Sequence, residues 1–448
     1  MSPADFAPRH LYLPACRIIH RLREAGHQAY IAGGAVRDHL LGREQTDLDI
    51  ATSAHPDEVK ALFRRTVAVG ESFGVILVHE ENHPFEVATF REDSDYRDGR
   101  HPGTVRYSTA EADVRRRDFT INGMLWDPET ETLMDWVGGR KDVEARLIRT
   151  IGPPGERFHE DRLRMLRAIR FAAQLGFAIE ETTWQAIRDQ AEALAPVSTE
   201  RIRDEMGKLL GATGWLNGLE LLADSGLERV IRQRLLVEWK LLHKSRIQDP
   251  PLDGVLGAGA AMGPSLTGIA GWLLLLAPAV LGMPRHATAD KSVGSALENL
   301  DSGARQSFPY WLRGMAMALK LSSREAREME ETAQVLVAIH RIRELPLADQ
   351  MRLLRHPGMT VARCLLPRFW PDGLDDLETW LSVQEVRHAG RLFPAPLIDG
   401  VRLIEMGVPR GPRVGAFLHD LETLQLEDRL HTAMDAEALV TQWLAQTD

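Results

Sequence analysis

"YIAGGAVRDHLLGREQTDLDIAT", residues 30 to 52, decides the reading of the whole chain. A strand-like run enters Gly33 and Gly34, a helical pattern follows, and "LDIAT" begins another strand-like run about ten residues later. Neither glycine carries a Cβ, so an anion can approach the backbone closely there, facing the N–H groups of the turn and of the helix start. A Gly-Gly pair before a helix is, by itself, usually only a tight turn. Its weight comes from Asp47 and Asp49, two residues apart, which a strand would point the same way. Like charges held that close repel, and one carboxyl would keep a proton unless a cation lies between them. A phosphate-binding turn beside paired carboxylates suits Mg²⁺, a hard ion that takes oxygens of both kinds, and with it metal-assisted phosphoryl transfer. Taken without the turn, "DLD" fits solvated or helix-capping aspartates equally well.

The first 145 residues alternate helical and strand-like stretches. An amphipathic run from Pro14 to Ala25 precedes "AYIAGGAV" and "LDIAT"; then come the helical "PDEVKALF" and the strands "TVAVG", "GVILVH" and "FEVATF". From about Arg146 strand signals nearly vanish, and "EDRLRMLRAIRFAAQLGF", "ERIRDEMGKLL" and "WLNGLELLADSGL" carry apolar residues at helical spacing. The expected fold class is α+β: a head with a compact mixed sheet, followed by an all-helical remainder. Residues 245 to 309, rich in Gly, Ala, Pro and Ser, read as a loop-rich insertion, and the last 120 residues as helices punctuated by proline and glycine.

At 448 residues the chain is too long for one ordinary core. Cys16 and Cys364, far apart and without metal-type spacing, point to a reducing compartment. The start, "MSPADFAPRHLYLPACR", has no basic region followed by an apolar run, so a cytoplasmic protein without a signal peptide is expected. Residues 254 to 284 hold no charge, but Pro264 and Pro278 leave only a short uninterrupted helix between them, so a buried core helix is expected rather than a membrane span. The formal net charge of −10 counts against a nucleic-acid partner only on average. Residues 140 to 170 carry nine Lys/Arg against five Asp/Glu, and "RRRD" at 115 to 118 adds three arginines; local charge matters more than the sum, and an acidic protein can still own a basic cleft.

In order and spacing, "GGAVRDHLLG", "TDLDIATSAHPDEV", "FEVATFREDSDY", "RRRDFTING" and "RFHEDRLRMLRAIRFAAQLGF" resemble the class II tRNA nucleotidyltransferases, the CCA-adding enzymes and their poly(A) polymerase relatives. The resemblance is dense over residues 30 to 215 and weaker beyond, although "GVPRGPRVGAFLHDLETLQLEDRL" is similar to that family's C-terminal region. It implies a polymerase-β-type nucleotidyltransferase head (1–145), a helical neck that recognises the base (146–215), a helical body with the insertion (216–330) and a helical tail that contacts tRNA (331–448). The implied activity is addition of C, C and A to the tRNA 3′ end from CTP and ATP, with Mg²⁺ and without a nucleic-acid template. Carried over by motif, Asp47 and Asp49 hold the metal, Gly34 and Arg37 the phosphates, and Arg117 with Asp118 the triphosphate and ribose. Glu86 is similar to a third acidic residue of the site.

Within the neck stretch Asp161, Arg164, Arg167 and Arg170 recur every three residues, a step of about 300°, and so are expected along one slowly drifting side of a helix. A carboxylate accepts from the amino group of cytosine or adenine, and a guanidinium donates to the ring acceptor beside it. Asp161 and Arg164 thus imitate a Watson–Crick partner, against which guanine and uracil would set a carbonyl. A row of arginines by itself is more often a solvated helix face. The charged segment 91 to 108 would alone be read as a surface loop; in the family a flexible loop here assists the change from C to A addition, which argues against a CC-only enzyme. Where bacterial poly(A) polymerases usually carry a basic "GRRF"-like stretch, this chain reads "VGESFGVILVH", which favours the tRNA enzyme. "WLLLLAPAVLG" lacks the His-Asp pair of a second hydrolase found in some relatives. The alternatives are an A-adding enzyme paired with a separate CC-adding one, a poly(A) polymerase, and a tRNA-binding protein with a dead head, which intact Asp47 and Asp49 oppose. Nothing in the residues sets an oligomeric state.

Overall fold

The structure, a computed structural model, describes residues 6–70, 74–81, 83–94, 104–242, 272, 276, 302–370 and 375–445. The chain divides into two compact units, Met1–Arg234 and Leu235–Asp448. The first unit is built on a seven-stranded mixed sheet in the order β3-β4-β5-β2-β1-β8-β9. Its strands are β1 (Ala29–Ala32), β2 (Asp49–Thr52), β3 (Thr66–Gly70), β4 (Val75–Glu80), β5 (His83–Thr89), β8 (Met124–Asp127) and β9 (Thr132–Asp135). A separate ribbon pairs β6 (Arg91–Ser94) with β7 (Thr104–Tyr107), and a short parallel pair joins β10 (Leu147–Ile148) to β11 (Ala178–Ile179).

Helix α1 (Arg9–Glu24) starts upstream of the expected Pro14 and buries Leu11, Tyr12, Ala15, Ile18, Ile19 and Leu22, the apolar stripe of an amphipathic helix. Then come α2 (Gly34–Leu40), α3 (Pro56–Leu62), α4 (Ala110–Arg115) and α5 (Gly139–Glu144). The alternating head is thus observed with its sheet mixed, because β2 pairs antiparallel to β1 and parallel to β5. Two expectations are corrected here. The segment 91 to 108, read as a plain loop, is an antiparallel ribbon at its ends, with Arg91 opposite Tyr107; residues 95–103 lie outside the described residues. Strand β2 begins at Asp49, so Asp47 precedes the strand and the alternation argument does not cover both carboxylates.

Beyond residue 145 the described unit is helical except for β10 and β11: α6 (Pro154–Glu160), α7 (Leu163–Leu175), α8 (Glu181–Asp189), α9 (Thr199–Leu210), α10 (Trp215–Asp224) and α11 (Leu227–Leu242). The expected continuous helix carrying Asp161 with the arginines is broken. Asp161 has extended backbone angles, φ −142° and ψ 105°, between α6 and α7, so only Arg164, Arg167 and Arg170 share a helix. Helix α7 is buried along Leu163, Met165, Leu166, Ala168, Ile169, Phe171 and Ala172, and ends at Gly176, whose φ of 67° suits a residue without Cβ.

In the second unit the described helices include Ser302–Ala318, Ser323–Ile339, Met359–Phe369, Asp375–His388 and Pro412–Leu426. Ile398, Leu403, Val408, Leu421, Leu430, Ala436 and Val440 form one of its buried clusters. Of the uncharged stretch 254 to 284 only Trp272 and Leu276 fall within the described residues; both are helical and buried. Among the described residues no helix is long and apolar enough to cross a membrane.

Candidate active site

Adjacent strand ends assemble the centre. The register of β1 against β2 sets Ala32 opposite Asp49, and Gly33 follows Ala32 directly, so the turn into α2 starts beside that carboxylate. On the other side of β2 the parallel register pairs Ile50 with Val87, which brings Glu86 of β5 level with Asp49. Burial, then the charges of Glu86 and Asp47, only partly offset by Arg117, push the Asp49 carboxyl up to about 6, although its outer edge meets solvent. Anionic groups gathered this way are short of positive charge. Among the described residues no three His, Cys, Asp or Glu side chains converge as a closed metal site. Mg²⁺ is an ion held by one or two carboxylates, which completes its shell with water and substrate phosphates. Asp47 and Asp49 fit that donor set.

Gly33 has φ 70° and ψ −125°, a conformation open to glycine, and a Cβ there would stand 3.0 Å from Nη1 of Arg117. The turn and Arg117 are therefore packed together at the end of β1, an interior strand of the sheet. Nη2 of Arg117 donates to Asp113 at 3.1 Å, and its buried Nε has no hydrogen-bond partner among the described residues. Burial works against ionisation of Asp113, but Arg116 and Arg117 outweigh it and hold the carboxyl below its ordinary value. Arg37 is turned into the protein: it donates to Asn122 at 2.6 Å and to both carboxylate oxygens of Asp38 at 3.0 and 2.9 Å.

The α7 arginines meet the strand-rich segment through Asp118. Burial would raise that carboxyl, yet the opposing Arg167, with Arg164 and a bond from Asn122, lowers it to about 2. Phe171 sits among three guanidinium groups, with Arg170, Arg37 and Arg167 at 3.9, 5.5 and 5.5 Å from its ring centre. Arg170 also donates to Glu205 at 2.5 Å and Gln174 at 2.6 Å. Arg164, expected to read a base together with Asp161, is held by Glu160 at 2.6 Å and by the carbonyls of Arg157 and Arg116, each at 3.0 Å. Asp161 instead accepts from Arg201 of α9.

The fold thus brings Gly34, Asp47, Asp49, Arg117, Asp118, Arg37 and the α7 arginines into one unit, with Glu86 beside Asp49. Sequence reasoning missed Asp113, Asn122, Phe171, Arg201 and Glu205. "ERIRDEMGKLL" did place Arg201 and Glu205 one turn apart on an amphipathic helix, which is a signal for partners of opposite sign facing a neighbouring element. Asn122 and Phe171 left no such mark, because their roles depend on which arginines surround them.

Two family models match the chain: the poly A polymerase head domain over residues 29–149 and the probable RNA and SrmB-binding site of polymerase A over residues 176–235. A CCA-adding enzyme of Bacillus velezensis is 47% identical over 243 residues, 54% of this chain and 61% of that protein. The CCA-adding enzyme of Geobacillus kaustophilus is 49% identical over 214 residues, 48% of this chain and 53% of the relative. The chain therefore matches between half and two thirds of the length of these curated relatives. Among solved structures, the Bacillus stearothermophilus CCA-adding enzyme in complex with CTP is similar with a TM-score of 0.73 and 29% identity, covering 97% of this chain and 98% of that one. The Thermotoga maritima CCA-adding enzyme complexed with tRNA shares the fold, at a TM-score of 0.59 and 18% identity over 100% of this chain and 98% of that one. With a head segment and an RNA-binding segment both matched, the chain is similar to the poly A polymerase head and RNA-binding family models and, in fold, to CCA-adding enzymes of known structure.

Proposed function

We propose that the protein adds C, C and A to the 3′ end of tRNA from CTP and ATP, releasing pyrophosphate, in the cytoplasm. The observation that carries this reading is the placement of Asp49 between the Gly33 turn and Glu86, with Arg117 against the same turn. A cluster of carboxylates short of positive charge, beside a backbone that admits phosphate, is what transfer of a nucleotidyl group requires. Asp47 and Asp49 would hold Mg²⁺, which when bound lowers the pKa of the attacking 3′-hydroxyl and neutralises the triphosphate. Gly34 leaves the turn open for phosphate oxygens, and Arg117 offers a guanidinium to the triphosphate beside Asp118. Arg37, Arg167 and Arg170 brace this wall and set its positive field. Asp161 and Arg164 read the base edge.

The partition into head (1–145), neck (146–215), body (216–330) and tail (331–448) belongs to the same proposal, with chemistry in the head and tRNA contacts spread over the helical parts. Extension of tRNA transcripts that end before CCA, and of others that end after CC, with single nucleotides and with mixtures tests it. Completion of CCA is the expected result. Addition of A alone, only to transcripts ending in CC, would make the protein an A-adding enzyme, and untemplated A tails on unrelated RNA would make it a poly(A) polymerase.

A further inference from the structure

We propose that Arg201 is a positioning residue for base selection, holding the Asp161 carboxylate in the one orientation from which it reads the nucleotide. The proposal rests on the base-reading role given to Asp161 above. Because Asp161 lies in the break between α6 and α7, no helix fixes its side chain, and the terminal torsion of an aspartate is broad. Two groups fix it instead. The backbone N–H of Leu163 donates to Oδ1 at 3.1 Å, and Nη2 of Arg201 reaches both Oδ1 and Oδ2, at 3.1 and 2.8 Å. A carboxylate has about four lone-pair positions, so these three contacts set its plane and still leave an acceptor for a base amino group.

Arg201 works from a rigid support. Helix α9 buries Ile202, Met206 and Leu209, and one turn beyond Arg201 its Glu205 accepts from Arg170 of α7 at 2.5 Å. Its first turn is tied down by Arg234, which donates to Thr199 at 3.0 Å. Arg164 does not perform this service, since its guanidinium is bound to Glu160 and to the Arg157 and Arg116 carbonyls. The geometry therefore separates two jobs: Asp161 meets the base, and Arg201 aims Asp161.

Steady-state incorporation of each of the four nucleotides on tRNA transcripts tests this in the full-length protein, comparing wild type with Arg201→Ala, Arg201→Lys, Asp161→Ala and the double variant Arg201→Ala/Asp161→Ala. Arg201→Ala is expected to raise kcat/KM for UTP relative to CTP, and for GTP relative to ATP, by about tenfold, mainly through a higher KM for the correct nucleotide. Arg201→Lys, which keeps a cation in reach, should restore part of the discrimination. The double variant should discriminate no worse than Asp161→Ala alone, since a residue acting through another adds nothing once the other is gone. An equal fall in kcat for all four nucleotides with unchanged ratios, or additive losses in the double variant, would overturn the proposal. Should Arg201→Ala fail to fold, Arg201→Gln is read by the same ratios. A wild-type chain that extends no tRNA overturns the activity itself, an outcome distinct from any effect at Arg201.

Discussion

Arg167 of α7 donates from Nε and Nη2, at 2.9 and 2.6 Å, to one carboxylate oxygen of Asp118, forty-nine residues earlier in the chain. This pair ties the helical segment after residue 145 to the strand-rich segment before it. Arg167→Ala would leave the Asp118 charge buried with the Phe119 N–H, the Asn122 amide and the charge of Arg164 against it. Removing one partner of a buried pair costs on the order of 3 kcal/mol. Urea denaturation should show that loss, with Arg167→Lys losing less.

The same pair predicts acid sensitivity. In the folded protein Asp118 is held at about 2, below its ordinary value, so the unfolded chain binds the proton more readily between the two. Its contribution is therefore complete above about pH 4 and is lost as pH falls through about 2. Asp118→Asn should be less stable than wild type at neutral pH and should show a shallower decline in denaturation midpoint across that acid range. Parallel declines for the two proteins would contradict the linkage.

Gly33→Ala should damage the turn twice over. The substitution forces a side chain into φ 70°, ψ −125°, and sets its Cβ 3.0 Å from the Arg117 guanidinium. Strain of this kind costs of order 1 to 3 kcal/mol. A KM increase of about tenfold for CTP and ATP alike is expected, at 1.4 kcal/mol per decade, with base discrimination unchanged. Nucleotide titrations on one tRNA transcript check it.

Asp47→Ala or Asp49→Ala should abolish nucleotide addition while leaving tRNA affinity nearly intact, because RNA affinity comes from many basic contacts and metal chemistry from these carboxylates. Relief of the crowding around Asp49 should also leave the Asp47→Ala protein at least as thermally stable as wild type in the absence of divalent ions. Extension and filter-binding assays on the same preparations separate the two effects. Normal turnover by either variant would remove the metal assignment.

Asp161→Ala and Arg117→Ala should fail in different ways. Loss of a base-edge acceptor worth roughly 1 to 3 kcal/mol should weaken exclusion of UTP and GTP by about one to two orders of magnitude. Arg117→Ala should weaken all four nucleotides together, since it stands against the Gly33 turn proposed to hold the phosphates. If Asp161→Ala slows CTP and ATP use but excludes UTP and GTP as well as wild type does, the base-reading role is wrong.

Much of the head was legible because its signals are local. The β1 to α2 turn follows from Gly33 and Gly34, the strands of the sheet from short apolar runs, and α7 from its apolar period. Within residues 91 to 108 the paired ends, Arg91–Ser94 and Thr104–Tyr107, misled because short strands rich in charged and polar residues carry little apolar alternation to reveal them. The helix break at Asp161 was missed because three-residue spacing continues through it, although a carboxylate that caps Leu163 from outside the helix is a familiar way to begin one.

By itself the sequence determined which residue types stand at which spacing: glycines where a backbone must come close, carboxylates two apart, and cations at every third position. Those are properties of a few neighbouring residues, and short-range sterics and periodicity suffice to read them. Only the tertiary structure decided partnership. That Asp49 faces Glu86 depends on a parallel register between β2 and β5; that Arg167 belongs to Asp118, and Asp161 to Arg201, depends on how α7 and α9 pack beside the Arg117 segment. Ionic pairing acts over a few ångströms in space and is blind to distance along the chain, so no spacing rule in the sequence records it.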